Sequence, residues 1–406
     1  MKSRKLFFDG AGGAQLAARL DSPVDGKPLA YALFAHCFTC NKNLRAVGNI
    51  SRALTQQGVA VLRFDFTGLG ESEGDFADTN FSSNVEDLQA AAEFMRREWQ
   101  APQLLVGHSL GGAAVLQAAS RIPSVKAVAT IGAPCNPVHV KHILQSSIEE
   151  IEAEGVARVS IAGRPFTIKK QFLDDLSDVA MKEVIRDTRA SINVLHAPLD
   201  DTVGIDQAGE IFMAARHPKS FVSLDKADHL LSREEDSLYA GRVIAALASR
   251  YIDLPAAGDK VQPKDKTVTA RTGVEGFLTE IRANGHSLTA DEPASVGGTD
   301  LGPTPYELLA SSLAACTSMT LRMYADHKKL PLRAAEVEVI HSKEHADDCE
   351  QDVAAGNAKI DVFRRTVKLE GELSEEQRRR MLEIADRCPV HKTLHSAVRV
   401  QTNLKE

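Results

Sequence analysis

Val106-Gly107-His108-Ser109-Leu110-Gly111-Gly112 is the stretch that most restricts how this chain can fold. An apolar run, Leu104 to Val106, leads into it, and a small-residue run, Ala113 to Ala119, leads out. Together they predict a strand, a sharp turn and a helix with a serine at the apex. The G-x-S-x-G spacing has a steric basis. A turn this tight forces the apex residue into a strained backbone conformation, and glycines two positions before and after it leave room for the chain to pass. The serine oxygen then stands clear of the sheet, with the backbone N–H of Leu110 directed at the same place. The bare pentapeptide also occurs as a glycine-rich turn with an idle serine, and the flanking strand and helix signals separate the two readings.

The rest of the chain supplies the sheet that such a turn needs. Two short strands fall within residues 5–20, and further apolar strands within Leu29 to Ala35, Val59 to Phe66, Val125 to Ile131, Ile192 to His196 and Phe221 to Leu224. Helices are predicted from Leu44 to Gln57, ended by Gly58, and from Glu234 to Tyr251. Another runs from Ser83 to Trp99, with Ser83 as N-cap and Glu86 completing a capping box. This alternation is the pattern of a mostly parallel sheet covered on both faces, an α/β domain over residues 1–252. Residues 135–190 break the rhythm with a helical stretch from Val138 to Glu154, a hairpin-like piece around Gly163 and a second helix to Arg189. They are expected to form a lid over the C-terminal ends of the strands, where open α/β sheets bind ligands.

Pro255, Gly258 and Pro263 mark residues 253–266 as a linker. Residues 267–406 then read as a smaller α+β domain. Strands surround Gly273, Gly276 and Gly285, and a long apolar helix runs from Pro305 to His327 with Pro at its first position. Strands Ala335 to Ile340 and Ile360 to Leu369, a helix Ser374 to Asp386 and a last strand Ser396 to Gln401 complete it.

Bulk properties exclude several function classes. A net charge of -7 argues against a nucleic-acid surface, and no apolar run approaches the length of a membrane span. The first residues are basic but lack the apolar segment of a signal peptide, which points to the cytoplasm. The six cysteines are therefore expected as reduced thiols, with any disulfide transient or catalytic.

An acyl-transfer serine needs a base, a group that orients the base, and donors for the oxyanion. Asp200 follows the strand ending at His196, Asp201 stands beside it as the rival acid, and His229 follows the last strand of the first domain. Five motifs now stand in order: His36-Cys37-Phe38, Arg63 to Ser72 as R-x-D-x-x-G-x-G-x-S, the Ser109 turn, Asp200 to Val203 as D-x-x-V, and Asp228-His229. In this arrangement residues 1–252 resemble the α/β-hydrolases. The resemblance implies Ser109 as nucleophile, His229 as general base, Asp200 as orienting acid, and the N–H groups of Phe38 and Leu110 as the oxyanion hole. Most relatives have glycine where this chain has Cys37. Cys37-x-x-Cys40 also carries a redox spacing, but it opens no helix of a βαβ unit, so the two read as small residues behind the oxyanion loop. His36 and His108 read as loop-bracing.

In the second domain, Cys316 lies in the long helix and Cys388 at the end of the last one. Two thiols at helix features suggest a peroxidatic and resolving pair, although buried helix cysteines are also ordinary small hydrophobes. Gly302 to Cys316, G-P-x-P-x-E-L-L-x-x-S-L-x-A-C, and Cys388 to Lys392, C-P-V-H-K, make residues 267–404 similar to the OsmC/Ohr thiol peroxidases. That resemblance implies attack on organic hydroperoxides by Cys316 and resolution by Cys388. It also implies an intertwined homodimer and a dithiol reductant of the lipoamide or thioredoxin type. The Ohr branch carries a glutamate directly after the helix-starting proline, where this chain has Tyr306. Glu307 follows, and Arg271 is the nearest candidate for that branch's arginine.

His341-x-x-x-His345-x-x-x-Cys349 has a spacing that could hold zinc but borders Asp347-Asp348 and reads as a solvated loop. Arg378-Arg379-Arg380 reads as a solvated helix face. The expected whole is a serine hydrolase of esters or thioesters, acting on a small-molecule acyl substrate without cofactor or metal, fused to a hydroperoxide reductase. Two alternatives remain. The second domain could serve only for dimerisation or ligand binding, or the lidded first domain could be a sensor rather than an enzyme.

Overall fold

The computed structural model describes residues 1–37, 41–139, 141, 144–161, 164–177, 180–252, 254, 267–274, 276–345 and 359–404. The chain divides into two compact units, Met1–Arg271 with Arg282–Ser287, and Thr272–Ile281 with Leu288–Glu406. The expected linker, 253–266, lies outside the described residues except for Leu254.

The front unit is built on one eight-stranded sheet. Its edge is an antiparallel pair, β1 (Lys2–Asp9) and β2 (Gln15–Ser22), with β2 also antiparallel to β4 (Val59–Phe64). From β4 the order continues through β3 (Ala30–Ala35), β5 (Leu104–His108), β6 (Ala127–Ile131), β9 (Ser191–His196) and β10 (Lys219–Ser223), all parallel. Every residue of β4, β5, β6 and β9 is buried. Strands covered on both faces favour apolar residues at most positions, which is why they read as largely apolar runs, and buried exceptions such as Arg63 are paired. Neighbours on β4 serve opposite faces: Leu62 joins the cluster of α2 (Phe81–Glu98) and α3 (Leu110–Ala119), and Val61 that of α1 (Arg45–Gln56) and α8 (Glu234–Ala248).

Helix α2 begins earlier than the sequence suggests. Asn80 is its N-cap: the Asn80 side chain accepts from the Ser83 N–H at 2.8 Å, and the Ser83 hydroxyl accepts from the Asn80 N–H at 3.0 Å. Ser83 thus serves as the third residue of the capping box, and the extra half-turn buries Phe81 completely.

The insertion is part helix and part hairpin. It contains α4 (Ile148–Glu154), an antiparallel pair β7 (Val156–Ile161) and β8 (Arg164–Lys169), then α5 (Lys170–Ser177) and α6 (Met181–Asp187). Single turns of tighter helix at Pro137–His139 and Gln145–Ser147 precede α4 within the helical stretch expected from Val138 to Glu154. The insertion is anchored to the start of α2. Asp175 accepts from the Ser82 N–H at 2.8 Å and from its hydroxyl at 2.6 Å, and the rings of Phe166 and Phe172 lie against Phe76.

In the back unit, β14 (Leu332–His345) and β15 (Lys359–Gly371) form a long antiparallel ladder. Helix α9 (Pro305–Lys328) opens with a capping box between Thr304 and Glu307, with Pro305 at its first position. Leu321 and Ala325 of α9, Leu332, and Met381 and Ile384 of α10 (Glu375–Ala385) form the small core. A short α11 (Pro389–Leu394) follows. Strands β11 (Val268–Thr272), β12 (Thr279–Ala283) and β13 (His286–Ala290) make a separate three-stranded sheet. The expected strand at Ser396–Gln401 is instead irregular and exposed. Its alternating Val398 and Val400 have a strand's pattern, but among the described residues no strand pairs with it, and a lone strand leaves its ladder groups to water.

A buried charge network holds the loops at the C-terminal edge of the front sheet. The Lys42 ammonium donates to Asp65 and to Glu71, each at 2.5 Å, and both Lys42 and Asp65 are fully buried. Arg63 donates to Asp21 at 2.7 Å and to the Lys42 carbonyl. Burial alone would raise Asp65, but hydrogen bonds from His36, from the Lys42 backbone and side chain and from the Glu71 N–H outweigh it and hold the carboxyl well below its usual range. The glycines of this motif are there for space: a β-carbon on Gly68 would lie 2.1 Å from the Phe76 nitrogen, and one on Gly70 would lie 2.2 Å from the Asp65 carboxylate. Ser72 closes the loop by donating to the Asp65 carbonyl at 2.6 Å. Removing one member of a buried ion pair strands the other. Lys42→Met should therefore destabilise the front unit by about 3–5 kcal/mol, read as a lower urea midpoint in equilibrium unfolding.

Candidate functional site

Ser109 sits between β5 and α3 at φ 55° and ψ −128°, a region that side-chain-bearing residues rarely occupy. The surrounding glycines make that turn passable. A β-carbon on Gly107 would lie 2.4 Å from the Gly111 carbonyl oxygen, and one on Gly111 would lie 2.4 Å from the His36 carbonyl oxygen. The Ser109 N–H donates to the Ile131 carbonyl at 2.8 Å, which ties the turn to β6.

Three side chains from separate loops meet in a row. Ser109 Oγ lies 3.0 Å from His229 Nε2, and His229 Nδ1 lies 2.7 Å from Asp200 Oδ2. A carboxylate only accepts, so the imidazole hydrogen belongs on Nδ1 and Nε2 is left to accept from the serine hydroxyl. The second oxygen of Asp200 accepts from the N–H groups of Thr202 and Val203, both at 2.9 Å. Burial by itself would raise Asp200, but the hydrogen bond and charge of His229 and the two N–H donors lower it below the ordinary carboxylate value. The chain can therefore draw a proton from a hydroxyl toward a fixed negative charge. The carboxylate facing His229 is that of Asp200, whereas Asp201 accepts from the Thr202 hydroxyl at 3.3 Å. Gly132, at φ +54°, passes beneath, where a β-carbon would lie 3.2 Å from the Asp200 carboxylate and 3.3 Å from His229 Nδ1.

The other histidines brace loops. His196 donates to the Val203 carbonyl at 2.7 Å and holds the Asp200 turn closed. His108 Nε2 donates to the His229 carbonyl at 2.6 Å, and its Nδ1 is buried without a hydrogen-bond partner among the described residues. His36 pairs with the Cys37 carbonyl at 2.7 Å. Leu110, the first residue of α3, is buried, and Phe38 lies outside the described residues. Cys37 is disulfide-bonded, which corrects the expectation of reduced thiols throughout. Sulfurs that a fold brings together can oxidise wherever no reductant holds them apart.

A second constellation lies in the back unit. Cys316 and Cys388 are free thiols, Cys388 fully buried and Cys316 partly exposed. Cys388 is the N-cap of α11 and accepts from the His391 N–H at 3.3 Å and from the Thr317 hydroxyl at 3.5 Å. Arg365 donates to that hydroxyl at 3.0 Å and to Asp386 at 2.6 Å. Arg365 and Thr317 escaped the sequence reading. The signal was there: Phe363, Arg365, Val367 and Leu369 share the sheltered face of β15, and an arginine there calls for a buried partner. Glu307 accepts from the Thr304 N–H at 2.7 Å as part of the helix cap, and Arg271 falls in the front unit, where its charge acts on the Met1 amine. His341 stacks on Tyr306 and pairs with Asp361 at 2.8 Å, on a strand rather than in a loop. Cys349 and the His345 side chain lie outside the described residues.

Sheet order, elbow and relay define the front unit as an α/β-hydrolase, and the chain belongs to that family. Residues 30–165 match the family model of serine aminopeptidase S33, and residues 298–403 match that of OsmC-like proteins. The esterase domain of a Rhodothermus marinus protein is 55% identical, covering 62% of this chain and 99% of that domain, with a TM-score of 0.52. The mitochondrial palmitoyl-protein thioesterase ABHD10 of Rattus norvegicus is 32% identical over 100 residues, 25% of this chain and 32% of the thioesterase. An uncharacterized protein of Rickettsia prowazekii, RP471, is 28% identical over 138 residues, 33% of this chain, and the match spans 57% of its length. The chain is thus a hydrolase joined to an OsmC-like domain. Among the described residues, no helix is long and apolar enough to cross a membrane.

His108 offers a check on this geometry. Burial, and then the charge of His229, push its pKa down to about 3 from an ordinary 6.5. Between those values the unfolded chain binds a proton that the folded chain refuses, so stability falls as pH drops. The slope from this one group is about 1.4 kcal/mol per pH unit. His108→Gln keeps a donor for the His229 carbonyl and should flatten the stability curve between about pH 4.5 and 6.5, measured as urea midpoints.

Proposed function

We propose that the front unit is a serine hydrolase of esters or thioesters that works through an acyl-enzyme. The observation that carries this is the unbroken row from Ser109 through His229 to Asp200. As Ser109 Oγ attacks the acyl carbonyl, His229 Nε2 takes its proton, and Asp200 steadies the resulting imidazolium. The Leu110 N–H, at the start of α3, faces the developing oxyanion, and the helix end favours negative charge there. The second donor in this reading is the N–H of Phe38. His229 then returns the proton to the leaving alcohol or thiol, and water repeats the cycle on the acyl-enzyme. The palmitoyl-protein thioesterase and esterase likenesses support an ester or thioester over an amide.

The back unit in this reading is an organic hydroperoxide reductase. Cys316 attacks the peroxide, Cys388 closes a disulfide, and a dithiol of the lipoamide or thioredoxin type reopens it, as the cytoplasm's reducing pools allow. The unit works as a homodimer. Exposed Met319, Met323 and Ile340, and the unpaired Val398 to Val400 segment, support a second copy as cover. The hydrolase spans residues 1–252 with its lid at about 135–190, and the OsmC-like domain residues 267–406. One observation favours a purely hydrolytic chain with a dimerisation or ligand-binding module: the Glu307 carboxylate is committed to the helix cap and so is not free to clamp an arginine.

Ser109→Ala should lower turnover of p-nitrophenyl esters and acyl thioesters by about 10⁴-fold or more, and Asp200→Asn by about 10⁴-fold. Asp201→Asn should leave turnover within about twofold. Cys316→Ser should abolish consumption of cumene hydroperoxide in the presence of dihydrolipoamide. Wild-type protein inert in that assay would favour the purely hydrolytic reading.

A further inference from the structure

Every donor around Cys388 is oriented in one sense. An arginine has no acceptor, so the Thr317 oxygen accepts from Arg365, and the Thr317 hydroxyl hydrogen is left to point at Cys388 Sγ. The His391 N–H can also only donate. A fully buried sulfur that receives two donors has little use for a hydrogen of its own. Arg365 is itself held in place by the Ala385 carbonyl at 3.1 Å and by Asp386. Cys316, the partly exposed member of the pair, is the one an incoming molecule meets.

We propose that Arg365, acting through Thr317, keeps Cys388 as the thiolate of the Cys316–Cys388 pair, so that Cys388 takes the Cys316 proton when Cys316 attacks. With a hydroperoxide, an electrophile whose identity rests on the reading above, the steps balance as follows. The Cys316 proton passes to Cys388. Cys316 sulfur attacks the terminal oxygen, the O–O bond breaks, and the peroxide is reduced to an alkoxide while Cys316 becomes a sulfenic acid. The alkoxide takes the proton back from Cys388 and leaves as the alcohol. Cys388, again a thiolate, attacks the sulfenic sulfur and expels hydroxide as the disulfide forms. Cys388 is thus proton carrier first and resolving group second. Arg365 and Thr317 are positioning residues.

The electrostatic balance agrees with this geometry. Burial alone would raise the Cys388 thiol, but the hydrogen bonds from Thr317, His391 and Cys316 and the Arg365 charge outweigh it and hold it below the ordinary thiol value. The titratable neighbours are Cys316 on α9, Arg365 on β15, Asp386 and Arg387 between α10 and α11, His391 on α11 and His395 just after it. His391 is itself lowered by burial and by the charges of His395 and Arg365.

The test follows thiolate absorbance at 240 nm against pH in the reduced full-length chain, with Cys388 read as the difference between each variant and the same variant carrying Cys388→Ser, because the chain's other cysteines absorb as thiolates too. In Cys316→Ser, the remaining Cys388 should titrate below the ordinary thiol range. Adding Thr317→Val should raise that midpoint by about one pH unit, and Thr317→Ser should restore it. In Cys388→Ser, the first oxidation of Cys316 by cumene hydroperoxide at pH 7, read as sulfenic acid by mass spectrometry, should slow about tenfold or more. A group that only resolves would leave that first step unchanged, and this result overturns the proposal. So does a Cys388 midpoint that Thr317→Val does not move. Should Thr317→Val fail to fold by circular dichroism, Arg365→Met against Arg365→Lys reads the same midpoint. A wild-type chain that shows the thiolate signal yet leaves hydroperoxide intact sinks the peroxidase reading alone. The alkylation rate of Cys316 by iodoacetamide, with and without Cys388, then decides the proton transfer.

Discussion

The bend at Ser109 is the constraint on which the front unit depends. A residue held at φ 55° persists only where its surroundings leave it no alternative. Here the surroundings are three backbones packed closer than any side chain allows, through Gly107, Gly111 and Gly112. Gly111 faces the His36 carbonyl and Gly112 the Ala133 methyl group, so the start of α3 is wedged between the residues that follow β3 and β6. The serine is not placed by its own interactions. It is placed by what its neighbours lack.

The same logic extends to the other two members of the row, His229 and Asp200. Asp200 is held by two backbone donors, and His229 is held by Asp200 from one side and by His108 through its own carbonyl from the other. Each group is fixed by something that cannot titrate or move easily near neutral pH. The Lys42, Asp65 and Arg63 cluster does comparable work for the loop that follows β3. Fixed donors and charges at the reaction centre are what allow electrostatic stabilisation without reorganisation.

Much of this was legible in the sequence because it depends on local rules. The elbow, the parallel sheet and the Ser109, Asp200 and His229 set follow from spacing and from unbroken apolar strands. Asp200 was preferred to Asp201 only by its spacing to Val203, since both sit in the same turn, and the geometry shows which carboxylate faces His229. The start of α2 was misplaced because Ser83 fits both the first and the last position of a capping box. The strand expected at Ser396–Gln401 failed because alternation records which faces are apolar but not whether a neighbour exists. Arg365 was hidden for a related reason. Its role comes from a hydroxyl 48 positions away in sequence, and no local pattern joins them.

The depth of the charge network in the front unit has a consequence for the environment the chain tolerates. Dissolved ions weaken attraction between charges that they can approach, and they cannot approach Lys42 and Asp65, both fully enclosed. The back unit carries ion pairs of the opposite kind, such as Lys368 with Glu336, where both partners face solvent. The enclosed Lys42–Asp65 pair should therefore keep its attraction as salinity rises, while exposed pairs such as Lys368 with Glu336, or Arg96 with Glu93 in the front unit, lose theirs.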